Sequence, residues 1–227
     1  KSFDTKAEYE AYKDGSADVV VVGGGGAGLA AAIDLAQNGK SVAVIEKNGE
    51  IGGDTLVCGA IYNTPDEALQ SKVEMTDAVK TTIEKALSAS SDDPQKAAAL
   101  KEMQAAVQKQ WDEYKASGRT DLFDSKEWYA LQTWINGDMA ANPELVKDLC
   151  YNAYDGLKWI EDMGMTFKDQ ISQGAGSLWQ RTHTSTMPMG TGFLSVYGNQ
   201  LEKYKDLITV YTEATATDLI MDGAKVV

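Results

Sequence analysis

Four valines run directly into four glycines at Val19–Gly26, inside the stretch ADVVVVGGGGAGLAAAIDLAQNGKSVAVIEKNGEIGGDT. A β-branched run without polar alternation predicts a parallel strand covered on both faces. Leu29, Ile33 and Ala36, set among alanines, then give an apolar stripe of helical spacing, and Asn38-Gly39 supplies its stop. SVAVI at 41–45 predicts a second buried strand. Strand, glycine turn, helix and strand within about thirty residues make one βαβ half-unit.

Gly23, Gly25 and Gly28 match G-x-G-x-x-G. Gly23 allows the tight turn off the strand, Gly25 lets the backbone approach a pyrophosphate, and Gly28 permits close packing of helix on strand. The helix N-terminus then offers unpaired N–H groups and the positive dipole end to phosphates. Glycine spacing alone is weak evidence, because glycine-rich turns are common. Here Glu46 ends the second strand, where its carboxylate can accept both hydroxyls of an adenosine ribose and would repel the 2′-phosphate of NADP. NAD and FAD share this fingerprint. GGDTLVCGAI at 52–61 adds a thin, small-residue chain past the ribose site, which an extended cofactor needs, and so favours FAD.

The chain has 227 residues, 43% of them apolar, enough for a packed core. A formal charge of -13 argues against nucleic-acid or anionic-membrane partners, which attract lysine and arginine clusters. Cys58 and Cys150 stand outside any Cys-x-x-Cys arrangement and read as small buried residues; with His183 the only histidine, no metal set is expected. No run approaches the ~18 apolar residues of a membrane span. The start at Lys1 leaves the compartment open, cytoplasmic or exported.

Residues 5–13 read as a short polar helix. Ala, Lys, Glu and Gln from 66 to 115 predict two helices separated by a loop at SASSDDP, with a third over 125–139. A fourth starts at Asn142 with Pro143 and Glu144 in its first turn and stops at Gly164, with Leu145, Leu149, Ala153, Leu157 and Ile160 as its core stripe. Trp111, Trp128, Trp134 and Trp159 are expected in the core of this helical block. A loop from 166 to 192, including Met187, Met189, Gly190 and Gly192, precedes a helix over 193–205 and strands near 207–212 and 217–221. DGAKVV reads as a turn entering a further strand, which implies a larger functional unit.

Three blocks carry a resemblance: VVVVGGGGAGLAAA with VAVIEKNGEIGGDT, then NPELVKDLCYNAYDGLKWIEDMGM, then RTH, GTGFL and VYTEATATDLIMDGAKVV. In that order they resemble blocks of bacterial fumarate-reductase-type flavoproteins, which include soluble fumarate, urocanate and related enoate reductases and succinate dehydrogenase flavoprotein subunits. The resemblance implies that Gly23, Gly25, Ala27 and Gly28 surround the pyrophosphate and that Glu46, with Lys47 beside it, binds the ribose. It places Gly53, Asp54, Thr55, Gly59 and Ala60 toward the flavin, and Ala216 at the adenine edge. Asp54 stands where the succinate dehydrogenase branch has a tethering histidine, so non-covalent FAD is implied. Arg181 and His183 match an R-x-H element read as structural or cofactor-adjacent. Cys58 would lie near the flavin, with no second cysteine for disulfide chemistry.

The reading is thus an α/β, Rossmann-like FAD-binding domain with a parallel central sheet: 1–64 its first part, 65–172 a helical insertion, 173–227 a return to the domain. The resemblance puts the C-terminal part, the capping domain and the catalytic residues after Val227. It implies reduction of the C=C of a small α,β-unsaturated carboxylate, with electrons from a separate donor module or protein. The rivals are an FAD-dependent dehydrogenase or oxidase of related fold, such as a ketosteroid dehydrogenase, and a non-catalytic flavin-binding fragment.

Overall fold

A computed structural model describes residues 16–226; the helix expected at 5–13 lies outside the described residues. Two compact units emerge. One runs to Ala60 and takes up Met163–Thr166 and the chain from Ser185 onward; the other holds Ile61–Asp162 and Phe167–Thr184.

The first unit is built on three parallel strands, β1 (Val19–Val22), β2 (Val42–Ile45) and β6 (Ile208–Tyr211), in the order β1-β2-β6. Val19 lies opposite Val42, and Val42 opposite Ile208. Helix α1 (Gly26–Gln37) buries Leu29, Ala32, Ile33 and Ala36 and packs on β1, on β2 and on α7 (Thr191–Lys203). The expected cover on both faces of the valine strand does not hold among the described residues. β1 is an edge strand whose Val19 and Val21 are half-buried, while Val20 and Val22 are 58% and 62% exposed. α1 packs on the strands and α7 packs on α1, and a run of valines specifies a strand without specifying how many layers cover it. The strand expected near 217–221 shrinks to Met221–Asp222 (β7), which turns at Gly223 (φ +61°) to pair antiparallel with Lys225–Val226 (β8).

In the second unit, α2 (Glu67–Gln70), α3 (Asp77–Leu87), α4 (Pro94–Ser117), α5 (Lys126–Asn136) and α6 (Pro143–Asp162) enclose a core of Leu100, Val107, Trp111, Trp128, Leu131 and Trp134. Trp159 is only half-buried, whereas Trp179 is buried with its indole N–H donating to the Phe123 carbonyl. Asp93 caps α4 by accepting from the Gln95 and Lys96 N–H groups, Pro94 opens the helix, and Gly118 ends it in the left-handed region.

Two expectations change here. The buried stripe of α6 is Val146, Cys150, Ala153, Leu157 and Ile160, whereas Leu145 and Leu149 are 68% and 62% exposed. Both stripes have helical spacing and share their last three members, so only packing against α5 selects the phase. The expected loop at 166–192 also contains β4 (Phe167–Ser172) and β5 (Thr182–Ser185), which form a sheet in the order β3-β5-β4 with β3 (Ile61–Asn63). These strands are polar and short. β5 joins its near neighbour β4 to β3, which comes from far along the chain, with Tyr62 opposite His183.

Candidate cofactor site

The glycine turn is set by close contacts. Gly23 leaves β1 at φ +106°, and a Cβ on Gly28 would sit 1.9 Å from the Gly23 carbonyl oxygen, so α1 crosses the end of its strand at a distance no side chain allows. A Cβ on Gly26 would meet Thr55 Oγ1 at 2.5 Å, and the Gly26 N–H donates to that same oxygen at 3.1 Å. Thr55 itself lies in the short 3-10 helix Gly53–Val57, and a Cβ on Gly190 would strike its carbonyl at 1.5 Å. The approaches of Gly26 and Gly190 wedge the Thr55 turn between the starts of α1 and α7. No side chain caps α1 at Gly25, and a Cβ there would find only Gly52 O, at 3.9 Å. Apart from the Gly26 N–H, which Thr55 takes, a helix start of this kind can receive an anion.

Glu46 is buried at the end of β2. Its Oε1 accepts the Asn48 N–H at 2.8 Å and its Oε2 accepts the Gly24 N–H at 2.7 Å. These two bonds, that from Asn48 first, hold its carboxyl below the usual range against the opposing effect of burial. Each oxygen retains a further acceptor site, enough for a pair of hydroxyls. Above it, the Glu213 N–H donates to Asn48 O and the Ala214 N–H to Glu46 O, both at 2.9 Å. That clamp brings 214–216 over the loop.

Gly23, Glu46, Lys47, Gly53, Asp54 and Ala216 consequently line one cavity of about 380 Å³. Gly25, Ala27, Gly28 and Thr55 do not line it; the first three belong to the α1 start and Thr55 to the 3-10 turn beside it. Gly59 and Ala60 do not line it; Ala60, at φ +52°, instead accepts the Ser185 N–H. Asn48, Ala214 and Thr215 also line the cavity and were not singled out from the sequence, although Asn48 adjoins Lys47 and Thr215 adjoins Ala216.

Other residues take different places. Cys58 is half-buried rather than buried, and its sulfur accepts the Ala60 N–H. Met187 and Met189 are exposed ahead of α7. In the second unit, His183 is buried with Nε2–H donating to the Thr64 carbonyl at 3.3 Å, and burial lowers its pKa. Arg181 donates from Nε and Nη2 to the two oxygens of the fully buried Asp124 at 2.9 and 2.8 Å and covers the Tyr129 ring. A groove of about 1000 Å³ in this unit, reaching Gln70, Tyr114, Asp124 and Cys150, contains none of the expected cofactor residues. Burial pushes the Cys150 thiol up to about 11, which leaves it inert. Among the described residues there is no cluster of metal-ligating side chains, and no helix is long and apolar enough to cross a membrane.

The parallel sheet, glycine turn and acid-ended second strand define an FAD-binding α/β domain, and residues 18–120 match the family model described as FAD binding domain. The kinship is with fumarate-reductase-type flavoproteins. The chain is 30% identical to NADH:acrylate oxidoreductase of Vibrio harveyi over 92% of its own length and 22% of that protein's. It is 28% identical to NADH:fumarate oxidoreductase of Klebsiella pneumoniae (strain 342), over 93% of the chain and 18% of the relative. Among solved structures, a flavocytochrome c3 fumarate reductase in its open conformation shares the fold, with TM-score 0.61 and 17% identity over 98% of this chain and 31% of that one. The chain thus spans about a fifth of the length of these curated relatives.

Proposed function

We propose that this chain forms the FAD-binding portion of a flavin-dependent oxidoreductase that reduces the C=C of a small α,β-unsaturated carboxylate. The observation carrying this reading is the cavity in which a buried, ionised Glu46 stands with Gly23, Gly53, Asp54 and Ala216, its Oε2 accepting the Gly24 N–H from the glycine turn that leads into α1. Acrylate and fumarate, in the names of the two relatives, are both carboxylates of this kind.

When bound, the flavin supplies hydride from N5; the residues of this chain hold it. Glu46 accepts the ribose hydroxyls on its remaining lone pairs, and Lys47 lies next to that contact. Gly23, Gly25, Ala27 and Gly28 present the α1 start to the pyrophosphate, where the helix dipole offsets its charge. Gly53, Asp54, Thr55, Gly59 and Ala60 follow the cofactor toward the flavin, and Ala216 meets the adenine edge. Asp54 stands where the succinate dehydrogenase branch carries its tethering histidine, so in this reading the FAD is non-covalent. In the same reading, residues 65–172 are a helical insertion between two stretches of cofactor domain, 1–64 and 173–227. Proton delivery and substrate anchoring fall to residues outside this chain, and electrons come from a separate donor module or protein.

The test is direct. Chain mixed with excess FAD and desalted should retain flavin absorbance, and a full-length protein containing it should oxidise a reduced dye with acrylate or fumarate as acceptor. A chain that stays colourless would sink the cofactor assignment, and a flavin-loaded protein inert toward every enoate would sink the substrate class.

A further inference from the structure

The sequence contains three Asn-Gly pairs, Asn38-Gly39, Asn48-Gly49 and Asn136-Gly137, and the structure separates one from the other two. In an Asn-Gly pair the glycine backbone nitrogen can attack the asparagine side-chain carbonyl carbon, unobstructed by any glycine side chain, and asparagine is for this reason a thermolabile residue. The reaction needs both groups free of other partners.

At the first and third pairs they are engaged. The Gly39 N–H donates to Ala36 O at 3.0 Å while Asn38 Nδ2 donates to Asp34 O at 2.8 Å. The Gly137 N–H donates to Thr133 O at 3.1 Å while Asn136 Nδ2 donates to Gln132 O at 2.7 Å. At Asn48-Gly49, neither the glycine N–H nor the asparagine carboxamide has a hydrogen-bond partner among the described residues. Both residues are exposed, and a Cβ on Gly49 would meet nothing within 4 Å. The Asn48 backbone is nevertheless anchored, by its N–H to Glu46 and by its carbonyl from Glu213. The loop is held while its reactive pair is open.

We infer that Asn48-Gly49 is a built-in deamidation site whose conversion impairs the cofactor cavity. The Gly49 nitrogen, having lost its proton to solvent, bonds to Asn48 Cγ, and the Cγ–Nδ2 bond breaks with release of ammonia. Water then opens the cyclic imide to aspartate or isoaspartate. Either product adds an anion to a cavity that already holds Glu46 and Asp54, and isoaspartate also lengthens the backbone between Glu46 and Gly49. The effect on cofactor affinity rests on the proposed ribose role of Glu46; the modification itself does not.

The test incubates the chain in warm, mildly alkaline buffer without FAD and maps asparagine, aspartate and isoaspartate at the three sites by peptide mass spectrometry. Asn48 should convert at least several-fold faster than Asn38 and Asn136, and unfolding in urea should abolish that difference. Asn48 that stays intact, or converts no faster than the other two, overturns the inference. Chain deamidated at Asn48, and the Asn48→Asp variant, should bind FAD several-fold more weakly than unmodified chain; equal affinity overturns the proposed impairment. If the unmodified chain binds no FAD at all, the cofactor reading fails while selective conversion at Asn48 still stands.

Discussion

One methyl group separates glycine from alanine at position 28, and it would lie 1.9 Å from the Gly23 oxygen. Gly28→Ala forces backbone apart rather than a flexible side chain, so it should cost at least the ~1–3 kcal/mol of overpacking, read as a lower urea midpoint. Glu46→Ala should weaken FAD binding by roughly 1–3 kcal/mol through lost charge-assisted bonds, and unchanged affinity by calorimetry would remove the ribose assignment. His183 supplies a pH signature. Burial lowers its folded-state pKa, so the unfolded chain takes up the proton first; the stability it contributes is present above its ordinary value of 6.5 and declines as pH falls below it. Asp124, raised from 3.8 to about 6 mainly by burial, slopes the opposite way between those values. Comparing melting temperature against pH for the chain and His183→Asn isolates the histidine, and parallel curves would contradict its protection from protonation.

Among the elements, α6 shows how a correct helix can hide a wrong face. Its start at Pro143 and its length were legible from local signals, because caps and helix formers act within a turn or two. Its phase was not, because Leu145 and Val146 are both apolar and only the neighbouring helix decides which one turns inward. Leu145→Ser and Leu149→Ser should each change stability by no more than ~0.5 kcal/mol, and a loss of several times that would restore the discarded stripe. The Asp124–Arg181 pair ties the segment before α5 to β5, at a separation that no local pattern encodes. Asp124→Asn leaves a buried guanidinium without its counter-charge and should cost about 3–5 kcal/mol, measured by chemical unfolding.

At the scale of the whole molecule, flavin attachment is the readable quantity. Asp54 implies release of the FAD on denaturation, so a fluorescent flavin band that stays with the polypeptide on a denaturing gel would contradict it. The parallel sheet, the βαβ start and a dinucleotide site were legible in the sequence, because a glycine turn between two apolar strands with Glu46 at the second strand's end forms one short local unit, while the choice of FAD came from GGDTLVCGAI and the later blocks. Other features came only from the tertiary structure: the exposure of Val20 and Val22 on β1 among the described residues, the phase of α6, the polar strands β4 and β5, and the loop of Ala214–Ala216 over Glu46. Each depends on a partner outside the segment itself, and burial, register and clamping are properties of pairs that no single segment can specify.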